Sequence, residues 1–433
     1  MADKPAPAQT PTGDTTEVTF LAKMKEAQSG DPDAQLTLAG FYEEGYGVAR
    51  DMGLAAHWYL EAAKHGSLEA QARIGSRFLR GTGVEQDFDK AMYWLRRAAG
   101  KGNADAIAEL GWAYQTGLGA KQNYRKALTC YERAARLGHP TARYNLGYMY
   151  ANGFGTKADS RIALEWYTKA AGQGNPRAQL NLGLMHLHGT GTPKNDIEAV
   201  EWFRKAADHG YAKAQFNLAR MYAHGRGVPQ DPAVAAKWYR MAADSNYGRA
   251  QYELGVSHLY GHGARKDSQE AMNWLLKAAF QNYPKARYQI GKMYFEGNGV
   301  MQSDVEAVNW FREAAEAGYA RAQWRLGRLY AKGRGVERDE AQACRLYLQA
   351  AEQGYAPAQA RLGAAYAAGK GVPKDRIQAY AWLTAAVVDN DTKVLKALNR
   401  LREKLKARDM IEADKLGRRY RKEFAAKPVA EVD

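Results

Sequence analysis

From Asp33 onward, small and apolar residues recur at helical spacing. Ala34, Leu38, Ala39 and Tyr42 stand at i, i+4, i+5 and i+8, one stripe of an α-helix. The stripe breaks at Gly45-Tyr46-Gly47, and a second follows through Ala55, the Trp58-Tyr59 pair and Ala62-Ala63 to Gly66. Then the pattern starts again. A Gly-x-Gly pair begins at residues 45, 81, 117, 153, 189, 225, 261, 297, 333 and 369, ten copies at a spacing of 36 without insertion or deletion. The Ala34 position is Ala in all of them. The chain therefore reads as ten helical hairpins, the first helix of copy one running from about Asp33 to Glu44.

The second helix carries a start signal in every copy. Asp51, Asp87, Asn123, Asp159, Asn195, Asp231, Asp267, Ser303, Asp339 and Asp375 share one column. Each can accept a bond from an unpaired amide at a helix start, and losing one costs about 0.5–2 kcal/mol. An Ala stands four residues on (Ala55 to Ala379), and the helix is expected to stop at Gly or Asn, residues that tolerate the left-handed conformation. Trp fills the first aromatic position in eight copies, with Cys130 and Leu346 in the others. These Trp side chains are expected to fill the space between hairpins, so that Trp238→Ala would cost about 3–5 kcal/mol. A lone hairpin cannot bury its apolar face, so the copies must stack into a continuous all-α solenoid.

Composition agrees. At 46% hydrophobic and 25% charged residues the chain matches ordinary globular protein. Of its 43 glycines, 35 fall in the repeat columns, so glycine content reflects architecture rather than low complexity. No run of 18 apolar residues offers a membrane span. The first ten residues show no apolar secretory segment, which predicts a cytoplasmic protein unless a leader was removed. Cys130 and Cys344 are the only thiols, too few for a disulfide framework or a thiolate metal site.

The pattern A-x-x-x-L-G-x-x-Y-x-x-G-x-G-V-x-x-D-x-x-x-A-x-x-W-Y-x-x-A-A-x-x-G resembles the Sel-one-like repeat (SLR) family, a cousin of the tetratricopeptide repeat. Copy two carries it as Ala70, Ile74-Gly75, Phe78, Gly81-Thr82-Gly83-Val84, Asp87, Ala91, Trp94, Ala98-Ala99 and Gly102. The resemblance covers residues 31–390. It implies a right-handed superhelix whose first helices line a concave surface, and an adaptor role of the kind found in bacterial signalling, secretion or envelope complexes. Some secreted members pair cysteines within each repeat, a subgroup associated with β-lactam binding. Cys130 and Cys344 depart from that arrangement: six repeats separate them, on the order of 50 Å at about 10 Å per helix layer, against the ~7 Å that a disulfide spans.

The ends differ from the repeats. Residues 1–17, rich in Pro, Thr, Ala and Asp, read as a disordered tail, and 18–30, with Phe20-Leu21-Ala22 and Met24, as an N-terminal capping helix. Residues 391–433 leave the repeat. Val394, Leu398, Leu401 and Leu405 predict one amphipathic helix there, and Leu416, Tyr420 and Phe424 a second. Thirteen Lys/Arg against five Asp/Glu between Lys393 and Lys427 contribute +8 of the chain's net +15. Two readings stand: a capping element with a solvated basic face, or a contact through 393–428 with an acidic partner, an anionic membrane surface or nucleic acid. No nucleic-acid-binding motif accompanies the charge.

Candidate binding residues lie on the first helices, opposite the core stripe. The column that begins Asp33, Glu69, Asp105, Thr141 turns basic at Arg177, Lys213, Arg249, Lys285 and Arg321. The Leu36 column gives Tyr144, Leu180, Phe216, Tyr252, Tyr288 and Trp324 through copies four to nine. Asn145, Asn181 and Asn217 follow in the Thr37 column, and Arg220, Lys292 and Arg328 in the Gly40 column. Aromatic faces beside cations have the composition of a protein-binding hot spot, and Asn amides can bond an extended backbone. Related repeats clamp a C-terminal carboxylate with Lys and Asn at matching places, though no single copy here holds the full set. The expectation is an acidic or C-terminal peptide in the groove of copies four to nine. The plainer alternative is that the aromatics pack on the neighbouring helix and the cations are ordinary solvated charge.

An enzyme is not indicated. His186 and His258 share the Tyr42 column and read as core residues, and His186 and His188 are two apart rather than at the i, i+4 spacing of a helical metal pair. No Walker loop, nucleophile elbow or H-E-x-x-H is present, and ten Gly-x-Gly turns between helices have a structural duty. Both cysteines fall in core columns and read as buried and inert. The sequence calls for no metal, no cofactor and no small-molecule substrate.

Overall fold

The capping column behaves as its chemistry requires. In the computed structural model, which describes residues 13–387 and 392–425, all ten capping side chains from Asp51 to Asp375 accept a backbone amide at the start of a helix. Each first helix has thirteen residues, from Pro32–Glu44 in repeat one to Ala356–Ala368 in repeat ten. The second helices run from Met52–Lys64 to Arg376–Ala385. Asn246 and Asn282, which replace glycine after two second helices, adopt φ of 60° and 59°, the left-handed geometry that the position demands. Asn390, their third counterpart, lies outside the described residues.

Twenty-three helices and no strand are found among the described residues. The described residues fall into two compact units, divided between Ala214 and Gln215. Within each unit the repeat helices pack on their neighbours in chain order, whereas the last helix, Ala407–Glu423, packs on Arg376–Ala385. Nothing in the unbroken 36-residue spacing marks the division.

Glycine in the Gly75 column makes room for its own hairpin. A Cβ on Gly75 would lie 2.8 Å from the Leu95 side chain, and one on Gly183 would overlap the Phe203 ring. In most repeats that contact is with the second member of the pair. Tyr59, Tyr131, Phe203 and Phe311 are almost fully enclosed. Trp58, Trp166, Trp202, Trp238 and Trp310 are only half-buried, whereas Trp94, Trp274 and Trp382 are buried. The expected core role of the Trp column thus holds in three repeats and falls to its neighbour in five. Several Trp rings, buried or not, lie under a lysine three residues on, Lys205 over Trp202 at 4.0 Å and Lys277 over Trp274 at 3.8 Å.

The N-terminal helix, Gly13–Gln28, starts inside the segment expected to be a disordered tail. Its first turn has a tertiary reason to order: Gly47 approaches the Thr16 carbonyl so closely that any Cβ there would overlap it. Phe20 then packs edge-on against Tyr42, with ring centroids 5.5 Å apart, and covers repeat one. Residues 1–12 lie outside the described part. At the other end two helices follow the repeats, Thr392–Arg402 and Ala407–Glu423. Tyr420 and Phe424 lie against Trp382 at 4.3 and 5.5 Å, and Gly417 fits over Thr384.

Candidate binding wall

The first helices are seated by a column that the periodicity does not single out. Gln35 donates through its side-chain amide to the Ala27 carbonyl at 3.0 Å, eight residues back at the end of the preceding helix. Gln71, Gln179, Gln251, Gln323 and Gln359 make the same bond in their repeats. Arg143 and Arg287 make it through Nε. The Leu36 and Thr37 columns stand one and two places further along the same helices.

In the first unit the predicted residues are largely engaged with one another. Tyr144 packs on Tyr167 at 5.8 Å. The Tyr131 hydroxyl donates to Gln115 Oε1 at 2.8 Å. Burial pushes the Tyr131, Tyr144 and Tyr167 phenols up, and the nearby amides of Asn145 and Asn181 pull the other way. Leu180 is buried, Lys213 half-buried and Arg177 exposed. The arginines of repeat two in this unit are neutralised: Arg77 pairs with Glu43 at 2.8 Å, Arg73 with Glu69 at 2.9 Å and Arg80 with Glu109 at 2.8 Å.

In the second unit the aromatic column has a partner column. Phe216 meets Tyr247 at 5.3 Å, Tyr252 meets Tyr283 at 5.3 Å, Tyr288 meets Tyr319 at 5.4 Å and Trp324 meets Tyr355 at 5.8 Å, all near edge-on. The partners are the residues that precede the next first helix. In earlier repeats that place holds Ser67, Asn103, His139 and Asn175, whose side chains cap the helix, whereas the four tyrosines make no side-chain cap bond. A cap of about 0.5–2 kcal/mol is exchanged for an aromatic pair of about 0.5–1.5 kcal/mol beyond its buried area. The change from Asn175 to Tyr247 along one column is visible in the sequence, but its meaning needs the partner ring.

Cations stand among these rings. Arg328 lies over Trp324 at 4.8 Å, Arg220 over Phe216 at 6.0 Å, and Arg325, absent from the predicted set, over Phe295 at 4.4 Å. Lys292 donates to the Tyr260 hydroxyl at 3.0 Å and faces Glu296 at 3.8 Å. Asn217 is buried, Arg249 half-buried, and Lys285 and Arg321 are exposed. Among the described residues no carboxylate pairs with Lys285, Arg321, Arg325, Arg328 or Arg361. Burial and the nearby charges of Arg325 and Arg361 hold Arg328 below its ordinary pKa. The plainer alternative thus accounts for much of the aromatic column, while Lys285, Arg321, Arg325, Arg328 and Arg361 lack, among the described residues, the paired acids that neutralise repeat two.

Other candidate chemistry stays structural. His258 bonds the Arg265 carbonyl at 3.1 Å and Arg240 at 3.0 Å. Burial raises both thiols, although Cys130 is half-buried rather than enclosed. Among the described residues no three His, Cys, Asp or Glu side chains are grouped to hold a metal ion, and no helix is long and apolar enough to cross a membrane.

A family model described as the Sel1 repeat matches ten consecutive segments, 32–67, 68–103, 104–139, 140–175, 176–211, 212–247, 248–283, 284–319, 320–355 and 356–387. The crystal structure of c5321, a protective antigen present in uropathogenic Escherichia coli strains that displays an SLR fold, is 32% identical, with 94% of this chain and 95% of that one covered and a TM-score of 0.59. A Sel1 repeat protein from Oxalobacter formigenes is 30% identical, covering 57% of this chain and 99% of its own at a TM-score of 0.52. No curated protein sequence matches the chain.

Proposed function

This chain belongs to the Sel1 repeat family, and from that premise we propose that it is a scaffold that holds an acidic peptide segment of a partner protein against the first helices of its late repeats. Repeat solenoids of this kind generally serve as protein-interaction scaffolds and are typically non-catalytic. The observation that carries the finer reading is electrostatic. Arg73, Arg77 and Arg80 are each neutralised by a carboxylate, whereas Lys285, Arg321, Arg325, Arg328 and Arg361 share a wall with no paired acid among the described residues. A carboxylate-bearing segment supplies the missing charge, and the flanking rings supply rigid apolar contact at low entropic cost. The same charge would accept a peptide's C-terminal carboxylate.

The test is charge reversal. Lys285→Glu with Arg321→Glu should weaken capture of the partner in a pull-down and leave the melting temperature unchanged, since both side chains are exposed. Capture at wild-type strength by the double variant rejects the wall.

A further inference from the structure

Repeat ten departs from its predecessors where its first helix meets repeat nine. Repeat nine carries Arg328, the buried Leu329 and Lys332 on its first helix, and repeat ten has Ala364, Ala365 and Ala368 in the same columns. The lost side chains leave an open cleft of about 350 Å³ in the second unit. Its apolar surface is this alanine floor, with Ala343 and the Tyr347 ring from the second helix of repeat nine facing it. Cys344 closes one end, its thiol donating to the Lys370 carbonyl at 3.2 Å.

Charge at the rim is unbalanced. Arg338, Arg361 and Lys370 line the cleft, against one carboxylate, Glu340, which is already paired with Arg338. Arg361 and Lys370 are exposed and have no carboxylate partner among the described residues. The Tyr347 hydroxyl feels both the Arg361 and Arg328 charges, which links the cleft to the wall of repeat nine. An alanine floor in a cleft of this volume, beside two unpaired cations, fits an aliphatic group with a carboxylate next to it.

We infer that this cleft seats a branched aliphatic side chain of the bound peptide, with an adjacent carboxylate on Arg361 and Lys370. This rests on the peptide-binding reading and narrows it to an anchor residue. The carboxylate has two sources, an Asp or Glu side chain next to the aliphatic residue, or the α-carboxylate of a terminal aliphatic residue.

The experiment is an array of synthetic acidic peptides with Leu or Ser beside a Glu, internal or terminal, each as free acid and as amide, read by fluorescence polarisation. Wild type should bind the Leu peptides at least about tenfold more tightly than their Ser counterparts. Ala365→Leu should erase that preference, and Arg361→Gln should weaken binding of the Leu and Ser peptides alike by the share that the adjacent carboxylate supplies. Arg361 is exposed, so its variant keeps the test valid if the added bulk at Ala365 costs stability. A preference that survives amidation identifies the side-chain source, and one that vanishes with it identifies the terminal source; both uphold the cleft. Acidic peptides that bind without any Leu preference, a preference that persists in Ala365→Leu, or wild-type binding by Arg361→Gln would overturn the cleft and leave the wall standing. No binding by any acidic peptide overturns both.

Discussion

The Arg133 guanidinium donates to the Ala99 carbonyl at 2.8 Å. Ala99 is the carbonyl that a Gln or Arg eight residues on would bond in other repeats, but repeat three has Ile107 there. Arg133 reaches it from the second helix of the same repeat instead. The carbonyl also accepts the Gly102 amide, so Arg133 fills its second lone pair, a bond of about 0.5–1.5 kcal/mol net. Arg133→Met should lower unfolding stability by that amount. In an Ile107→Gln background the same change should cost almost nothing, a coupling read from urea midpoints in a double-mutant cycle.

The aromatic pair gives a second contrast. Tyr239 is buried and Trp238 beside it is half-buried. Tyr239→Ala should cost about 3–5 kcal/mol as a core truncation. Trp238→Ala should cost clearly less despite its larger ring. Equal losses in chemical denaturation would contradict the assignment of the core to the second member.

Why the sequence misplaces that core is instructive. Residues 58 and 59 are 100° apart on a helix, so both fall within a broad apolar face and periodicity cannot rank them. The ranking comes from the Gly75 column, which leaves room for the second member, as Gly183 does for the Phe203 ring. The caps from Asp51 to Asp375 and the left-handed Asn246 and Asn282 were legible because each depends only on its own turn of chain. The tyrosines near Asn145 and Asn181, the Tyr247 to Tyr355 column and the alanine-floored cleft depend on what the neighbouring helix presents, and no single column records that.

Acid and alkali should each reveal one bond. Glu43 accepts from the Tyr59 hydroxyl at 2.7 Å and pairs with Arg77. Burial opposes its charge, but the Tyr59 and Arg77 bonds outweigh it and its pKa lies below the ordinary value. Such a carboxyl contributes stability that is fully present above the unfolded value, about 4, and lost as pH falls through the folded one. Tyr59 is pushed up to about 12, first by burial and then by its bond to Glu43. Its contribution is present below about 10 and is lost as pH rises through 12. Glu43→Gln should flatten the acid limb of stability against pH; an unchanged limb would show that the pair contributes nothing.

The basic C-terminal helices offer a separate check. Tyr420 and Phe424 cover Trp382, so deleting the segment would uncover the last repeat and confuse binding with unfolding. Lys415, Arg418 and Lys422 are exposed, and changing all three to Gln should leave both melting temperature and partner capture as in wild type. Loss of capture, or of binding to anionic vesicles or nucleic acid that wild type shows, would move the functional surface to this end of the chain.

Contact with the partner can be read directly by site-specific photo-cross-linking. A benzoylphenylalanine at Arg325 would stand on the wall of the late repeats, and one at the exposed Tyr93 on a second helix. Covalent adducts with the captured protein should form from position 325 and not from 93. Adducts from 93 with none from 325 would place the partner on a second helix of the first unit and refute binding along the first helices of the late repeats.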